Sequence, residues 1–169
     1  NGEANCGMSV EKVRSYLKKY GMEGRLQVFP VSSATVELAA QALHTEPARI
    51  AKSISFHDGT GGCLLVVTAG DTKIDNAKFK ARFGFKARML APAEVEPLTG
   101  YPVGGVCPFG NPPGAAVYLD VSLRRFDRVY PAGGSADSCV RLSCEELAAV
   151  SRSAGWVDVC RRAGGARPA

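Results

Sequence analysis

The spacing of apolar and polar residues predicts helices interleaved with strands. Apolar residues recur every three or four positions over residues 10–20 and 36–43, which predicts two helices. Residues 63–69 form an almost unbroken apolar run, as expected for a strand at the centre of a sheet. Residues 52–56 alternate and predict the strand before it, and the glycine-rich residues 58–62 predict the hairpin connection between the two.

Capping and turn residues place the remaining elements. Asp75 predicts a helix that Gly84 ends, Pro92 opens a helix over residues 93–98, and Ser143 with Glu146 forms a capping box. A short helix is expected over residues 47–51, and further strands are expected at residues 26–29, 86–90, 115–120, 128–132, 139–142 and 156–159. This order lacks a regular βαβ rhythm and therefore predicts an α+β domain with a mixed sheet.

The expected domain spans residues 8–162. Met8 resembles a natural start, so residues 1–7 are interpreted as a cloning remnant or a disordered segment. Residues 163–169 are rich in glycine, alanine and proline and are expected to form a disordered tail.

Residues 100–114 do not fit any regular element. Five glycines and four prolines stand in these fifteen residues, together with valines, a cysteine and a phenylalanine that argue against disorder. Glycine lets a backbone approach a ligand closely, and proline stiffens it. Such a loop can direct N–H groups at an anion or an oxyanion, although a long surface connection is an equally good interpretation.

Charge adds a hint about the partner. Residues 1–72 carry seven bases and seven acids, so the whole net charge of +5 lies in residues 73–169. Within the segment 73–88 six bases face one acid, and the bases Lys73, Lys78 and Arg82 are candidates for contact with a polyanion such as tRNA. A solvated basic surface explains the same pattern.

Several classes of function are disfavoured. No apolar run approaches the length of a membrane-spanning helix, and no signal peptide precedes Met8, so a cytoplasmic protein without membrane contact is expected. The six cysteines lack the spacing of a zinc site and are expected to be reduced and mostly buried. No P-loop or nucleophile elbow is present, and His44 and His57 are expected to be surface residues, so neither a metal nor another cofactor is predicted.

A second candidate, besides the loop, is a lysine within an apolar stretch of the sequence. Lys52 interrupts the apolar run at residues 49–56, where a fixed cation can reach a pocket. A lysine in such a place more commonly extends its ammonium to the surface.

Four segments, taken together, resemble the YbaK/EbsC-type aminoacyl-tRNA deacylases, also called prolyl-tRNA-editing domains. They are residues 34–40 (ATVELAA), 50–53 (IAKS), 104–110 (GGVCPFG), with the family's G-x-x-x-P loop, and 129–135 (VYPAGGS). The resemblance extends over almost all of residues 8–160. It implies a mixed sheet curled into a partly open barrel with helices around it, and hydrolysis of the ester that joins a wrong amino acid to tRNA, usually tRNA(Pro).

The resemblance also implies roles for individual residues. Lys52 matches the family's functional lysine, which holds the terminal adenosine and its phosphate, and the N–H groups of Gly104 and Gly105 match those that polarise the ester carbonyl. The water is thought to be oriented by the substrate itself. Pocket positions are expected, by the same match, at Thr35, Ser53, Val106, Pro108, Gly134 and Ser135.

The leading hypothesis is therefore a free-standing trans-editing hydrolase of mischarged tRNA, with prolyl-tRNA synthetase as a candidate partner. A binding module that recognises an aminoacylated 3′ end or regulates a synthetase without turnover is the alternative. A hydrolase of other small esters is a third, weaker interpretation. The amino acid removed stays open.

Overall fold

The computed structural model describes residues 2–30 and 35–163, with side chains described from residue 8 onward. Five α-helices are present in these ranges: α1 Gly2–Lys18, α2 Val36–Leu43, α3 Asn76–Phe83, α4 Pro92–Thr99 and α5 Cys144–Val150. The strands are β1 Leu26–Val28, β2 Ile50–His57, β3 Cys63–Ala69, β4 Thr72–Ile74, β5 Ala115–Asp120, β6 Tyr130–Pro131, β7 Ser138–Val140, β8 Gly155–Val157 and β9 Cys160–Arg162.

A mixed five-stranded sheet forms the centre of the fold. Its order is β6-β2-β3-β5-β8, in which β2 and β3 are antiparallel and the other neighbouring pairs are parallel. Two small antiparallel sheets, β1-β7 and β4-β9, flank it. A bridge between Ala132 and Cys139 connects the β6 edge to β7, so the sheet curls beyond that edge. The predicted α+β class with a curled mixed sheet is confirmed.

Strand β3 owes its central position to its side chains. All seven of its residues are buried, because α-helices and loops cover both faces of the sheet. One face carries the large core that contains Leu65, Val67 and helix α1, and the other carries an aromatic cluster around Phe79. The prediction of a buried central strand from a continuous apolar run is correct.

Several predicted boundaries need correction. Helix α1 begins at Gly2 rather than near residue 10, and residues 86–90 form no strand but a single bridge between Met89 and Phe56. The short helix after residue 46 ends at Arg49, because β2 begins at Ile50. Strands β4 and β9 have only three residues each, too few for a periodic signal, and sequence reasoning missed them.

The loop at residues 100–114 is ordered by burial rather than by regular structure. Tyr101, Cys107 and Phe109 are fully buried in the main core, and the Tyr101 hydroxyl donates a hydrogen bond to the carbonyl of Phe109. The Asn111 amide group donates to the carbonyls of Thr99 and Cys107, at 2.7 and 3.0 Å. The loop is thus anchored through its apolar residues, as their presence in the sequence suggests.

Candidate functional site

A pocket of about 400 Å³ opens beside the edge of strand β2. Strand β6 pairs with only the first two residues of β2, and the segment at residues 88–90 pairs with its last residues. The stretch between them, residues 52–54, pairs with β3 on one edge and, within the described residues, with no strand on the edge that faces the pocket. The gap in the sheet edge therefore forms one wall of the site.

The alternating direction of backbone N–H and C=O groups along β2 indicates which of them face the pocket. The carbonyl of Ser55 accepts from Leu90 N and the amide of His57 donates to Arg88 O, so these two residues direct their backbone groups away from β3. Alternate residues of a strand direct these groups to the same edge. Ser53 therefore presents its N–H and C=O to the pocket. Its hydroxyl is buried, lines the pocket region and has no hydrogen-bond partner within the described residues.

The loop forms the opposite wall through a tight turn. The amide of Gly105 donates to the carbonyl of Pro102 at 2.9 Å, and Gly104 has φ +91°, as the third residue of a type II turn requires. The family resemblance implies that the Gly105 N–H polarises the ester carbonyl. In the structure this N–H is bonded to the Pro102 carbonyl instead. Among the described residues, the amides of Gly104 and Val106 have no hydrogen-bond partner, and both residues line the pocket.

Gly105 has a different importance, which is steric. A Cβ atom on Gly105 would lie 2.4 Å from the carbonyl oxygen of Gly134 and 2.8 Å from Cα of Ser135. Gly134, at φ +100°, is in turn packed against the backbone of Ser9 in α1. Two glycine-containing loops and the first helix therefore meet directly behind the pocket.

Lys52 supplies the cation of the pocket. Its ammonium donates a hydrogen bond to the carbonyl of Thr72, at the start of β4. Burial lowers the pKa of Lys52, and the nearby Lys73 contributes in the same direction. The lysine is thus partly desolvated and held at the junction between the pocket and β4. Because the Thr72 carbonyl accepts only one of the three ammonium protons, the others can donate to an anion.

A serine cluster closes the base of the pocket. The hydroxyl of Ser135 hydrogen-bonds to the Asp137 carboxylate and lies 2.8 Å from the hydroxyl of Ser138, and both serines are buried. Cys139 lies beside them, and burial raises the pKa of its thiol to about 12. The thiol is therefore protonated at neutral pH and is a poor nucleophile.

The pocket brings together residues that are far apart in sequence. Thr35, Lys52, Ser53, Gly104, Val106 and Ser135, all expected at the site, line it. Thr35 also caps α2, accepting a hydrogen bond from Leu38 N at 3.1 Å. Gly105, Gly134 and the buried Pro108 do not line the pocket, and the two glycines support it from behind. Residues 32–34, predicted to precede α2, lie outside the described residues.

The expected tRNA-contacting bases lie elsewhere, on β4 and α3. Lys73 is exposed on β4, Lys78 lies 3.2 Å from the Asp158 carboxylate, and Arg82 lies over the rings of Phe83 and Tyr118. Sequence reasoning missed Arg161, which β9 places directly opposite Lys73. Its only signal in the sequence was a basic pair near the end of the chain.

Other classes of site find little support in the described part of the chain. No cluster of three or more His, Cys, Asp or Glu residues there could hold a metal ion. Five cysteines are free thiols there, four of them buried, as expected for reduced cysteines. His57 lies 3.3 Å from Glu94 and does not line the pocket. The helices described include none long and apolar enough to cross a membrane.

Comparison with known proteins matches this chain to a family. The model of the aminoacyl-tRNA editing domain matches residues 31–150, which include both walls of the pocket. The chain belongs to the aminoacyl-tRNA editing family. The family resemblance found in the sequence is thereby confirmed, and the chain is an editing domain.

Individual relatives of this editing domain agree. Uncharacterized protein YwhH of Bacillus subtilis (strain 168) is 49% identical over 154 residues, which cover 91% of this chain and 98% of that protein. Proline--tRNA ligase of Thermotoga maritima is 34% identical over 77 residues, which are 45% of this chain and 13% of the ligase. A solved structure described as a candidate trans-editing enzyme for prolyl tRNA synthetase superposes with a TM-score of 0.82 at 31% identity, covering 90% of this chain and 97% of that one.

Proposed function

We propose that the protein is a separate hydrolase that removes a wrong amino acid from tRNA, with tRNA(Pro) as the first candidate. One observation carries the proposal: among the described residues, the pocket combines a partly buried ammonium, that of Lys52, with unpaired backbone amides, and no His, Asp or Glu lines it. This is a site for holding an ester beside a phosphate.

Each wall has a defined part in the proposed reaction. The amides of Gly104 and Val106 donate hydrogen bonds to the ester carbonyl oxygen, which becomes negatively charged when water adds to the carbon. The Lys52 ammonium binds a phosphate of the terminal nucleotide. The Ser53 carbonyl accepts from the α-ammonium of the amino acid, which fixes the direction in which the aminoacyl group enters.

Among the described residues that line the pocket, none is a histidine or a carboxylate that could activate the attacking water. The Cys139 thiol is neutral, and the Ser135 hydroxyl is engaged with Asp137 with no imidazole lining the pocket. We therefore infer that a hydroxyl of the terminal ribose orients the water. Water forms the new bond to the carbonyl carbon, the ester C–O bond breaks, and the proton passes to the leaving ribose oxygen.

The wider context is part of the same proposal. A synthetase pocket discriminates weakly between amino acids that differ by a methylene, so a second site that hydrolyses the wrong product is needed. The similarity to a stretch of proline--tRNA ligase and to a candidate trans-editing enzyme supports prolyl-tRNA synthetase as the partner. Because its substrate is tRNA, we place the protein in the cytoplasm.

A deacylation assay tests the activity directly. The protein is incubated with tRNA(Pro) charged with alanine, cysteine or serine, and with tRNAs charged with serine or threonine, and amino-acid release is followed. We expect release from at least one of these substrates at a rate well above that of the Lys52→Ala variant.

Two outcomes would contradict the hydrolase. No release above the uncatalysed rate, measured without protein, from any charged tRNA excludes it. Tight binding of aminoacyl-tRNA without turnover would instead support the alternative, a binding module. Affinity is therefore measured on the same samples at two salt concentrations, because binding to the phosphate backbone weakens as salt rises.

We further propose that tRNA docks along strands β4 and β9. Lys73 and Arg161 are exposed and directly opposite each other, an arrangement that is unfavourable for two like charges in the absence of a bound anion. The hydrogen bond from Lys52 to Thr72 brings the pocket within one residue of Lys73. This pair is thus placed to receive the nucleotides that follow the terminal adenosine, with Lys78 and Arg82 beyond it on α3.

The double variant Lys73→Gln/Arg161→Gln tests this docking surface. We expect weaker tRNA binding and a slope of log K against log salt that is smaller by about 1.5, since each lost phosphate contact removes about 0.7–0.9. Turnover at saturating tRNA should be retained. Arg141→Gln, which removes an exposed cation after β7, is the matched control, and an equal effect of this control would refute a specific docking path.

A further inference from the structure

A second cavity lies on the other side of the long loop, between that loop and helix α1. Its volume is about 640 Å³, and it is lined by residues of α1, by Gly110 and Asn111 of the loop, and by Arg152 after α5. None of its lining residues lines the editing pocket. The proposed editing reaction gives it no role.

The cavity is strongly cationic. Among the described residues, Lys12, Lys19 and Arg152 line it and no carboxylate does. Within the described residues none of the three cations forms a salt bridge. Lys12 donates a hydrogen bond to the Gly100 carbonyl at 3.3 Å, and Lys19 lies over the Tyr16 ring. Arg152 hydrogen-bonds to Tyr20. Three positive charges without counter-ions around one concavity attract an anion.

The backbone at Arg152 supports a role for its side chain. Arg152 has φ +52°, the left-handed conformation that ordinarily holds glycine after the end of a helix. Glycine would adopt it without strain, but an arginine stands there and its guanidinium lines the cavity. The adjacent Tyr16 hydroxyl donates to the Val150 carbonyl at 2.5 Å, which fixes the last turn of α5 against α1.

Polar atoms of the right kind surround these cations. Ser15 adds a hydroxyl donor at the cavity. The Tyr16 hydroxyl, 3.5 Å from that of Tyr20, already donates to Val150 and is not counted among the donors. Guanidinium, ammonium and hydroxyl donors together suit the oxygens of a phosphate group, which accepts several hydrogen bonds and carries the charge. A smaller groove lined by Pro112 and Pro113 continues from the cavity and shares four of its residues.

We propose that this cavity is a binding site for a phosphate group, separate from the editing pocket. The ligand would contact Lys19 and Arg152 and would lie against Gly110 and Asn111. It would therefore touch the far end of the loop whose Gly104 and Val106 face the editing pocket. The phosphate belongs either to a free phosphorylated compound or to an RNA backbone.

Binding experiments with inorganic pyrophosphate and with a short RNA helix distinguish these sources. Binding is followed by calorimetry and by the NMR shifts of the Gly110 and Asn111 amides. We expect saturable shifts at both amides and at least tenfold weaker binding in Lys19→Gln and in Arg152→Gly. The second variant suits the left-handed backbone, so it removes the guanidinium without a loss of folding. Lys18→Gln, an exposed lysine of α1 outside the cavity, is the matched control.

Each result decides the proposal. Shifts with pyrophosphate indicate a free ligand, and shifts with RNA alone indicate a backbone phosphate; either supports the site if Arg152→Gly removes them. No shift with either probe, or shifts that Arg152→Gly leaves unchanged, overturns it. The measurement needs no turnover, so a failure of the deacylation assay does not affect it.

Discussion

Replacement of Lys52 with methionine is expected to reduce kcat/KM for deacylation by roughly 100-fold while leaving the protein at least as stable as the wild type. The methionine keeps the apolar stem and removes the ammonium, which we propose binds a phosphate of the terminal nucleotide. Charge-assisted hydrogen bonds contribute about 1.5–3 kcal/mol, and each 1.36 kcal/mol corresponds to a factor of ten in rate. Steady-state kinetics on the best substrate of the deacylation assay measures the loss.

Stability should change in the opposite direction, with a defined pH dependence. Burial lowers the pKa of Lys52 below its ordinary value of 10.5, so the folded state disfavours the charged form. At pH values below the lowered pKa, the charged Lys52 reduces the free energy of unfolding by its full amount. This destabilisation disappears as pH rises from the lowered pKa to 10.5. Thermal unfolding of Lys52→Met should occur at or above the wild-type Tm at pH 7, with the difference shrinking at alkaline pH.

Lys86→Met, which removes an exposed lysine that does not line the pocket, is the control for loss of charge alone. Equal kinetics of wild type and Lys52→Met would remove Lys52 from the proposed site. A large fall in the Tm of Lys52→Met would show instead that the ammonium supports the fold through its hydrogen bond to Thr72.

Gly105→Ala should be the most damaging single-methyl change at this site. The new Cβ would lie 2.4 Å from the Gly134 carbonyl oxygen and 2.6 Å from its carbonyl carbon, so a backbone segment must move. Overpacking of this kind costs about 1–3 kcal/mol. Because the same movement displaces the amides of Gly104 and Val106, activity should fall by about 100-fold, as expected for a shift of about 1 Å in a catalytic group.

Gly114→Ala is the matched control, since it lies at the end of the same loop and its Cβ would meet no atom within 4 Å. This variant should keep wild-type stability and activity. Denaturant unfolding and the deacylation assay on both variants measure the comparison. If Gly105→Ala unfolds and reacts like the wild type, the close contact between the two loops is not needed for the site.

Much of this fold follows from local patterns. The seven apolar residues of β3 predict a buried central strand, and Asp75 with Gly84 marks the bounds of α3, because a cap and a left-handed glycine act within a few residues. Strands β4 and β9 were missed because each has only three residues and gains its stability from the other. The strand expected at residues 86–90 was wrong because only one residue there, Met89, forms a bridge to β2.

The site divides in the same way between sequence and tertiary structure. The sequence by itself determined which residues carry chemistry: a lysine in an apolar run, a loop rich in glycine and proline, and a surplus of bases after residue 72. Four motifs in one order were enough to identify the family.

Tertiary structure decided how these residues are used. The gap in the β2 edge exposes the backbone of Ser53. The turn at Pro102 occupies the Gly105 amide and, within the described residues, leaves the amides of Gly104 and Val106 unpaired. Strand β9 brings Arg161 opposite Lys73. The open edge of β2 and the pairing of Lys73 with Arg161 depend on contacts between segments distant in the chain; the turn itself is local, but its place opposite β2 is not. Hydrogen-bond pairing across such contacts has no local signature, so only the folded arrangement could reveal it.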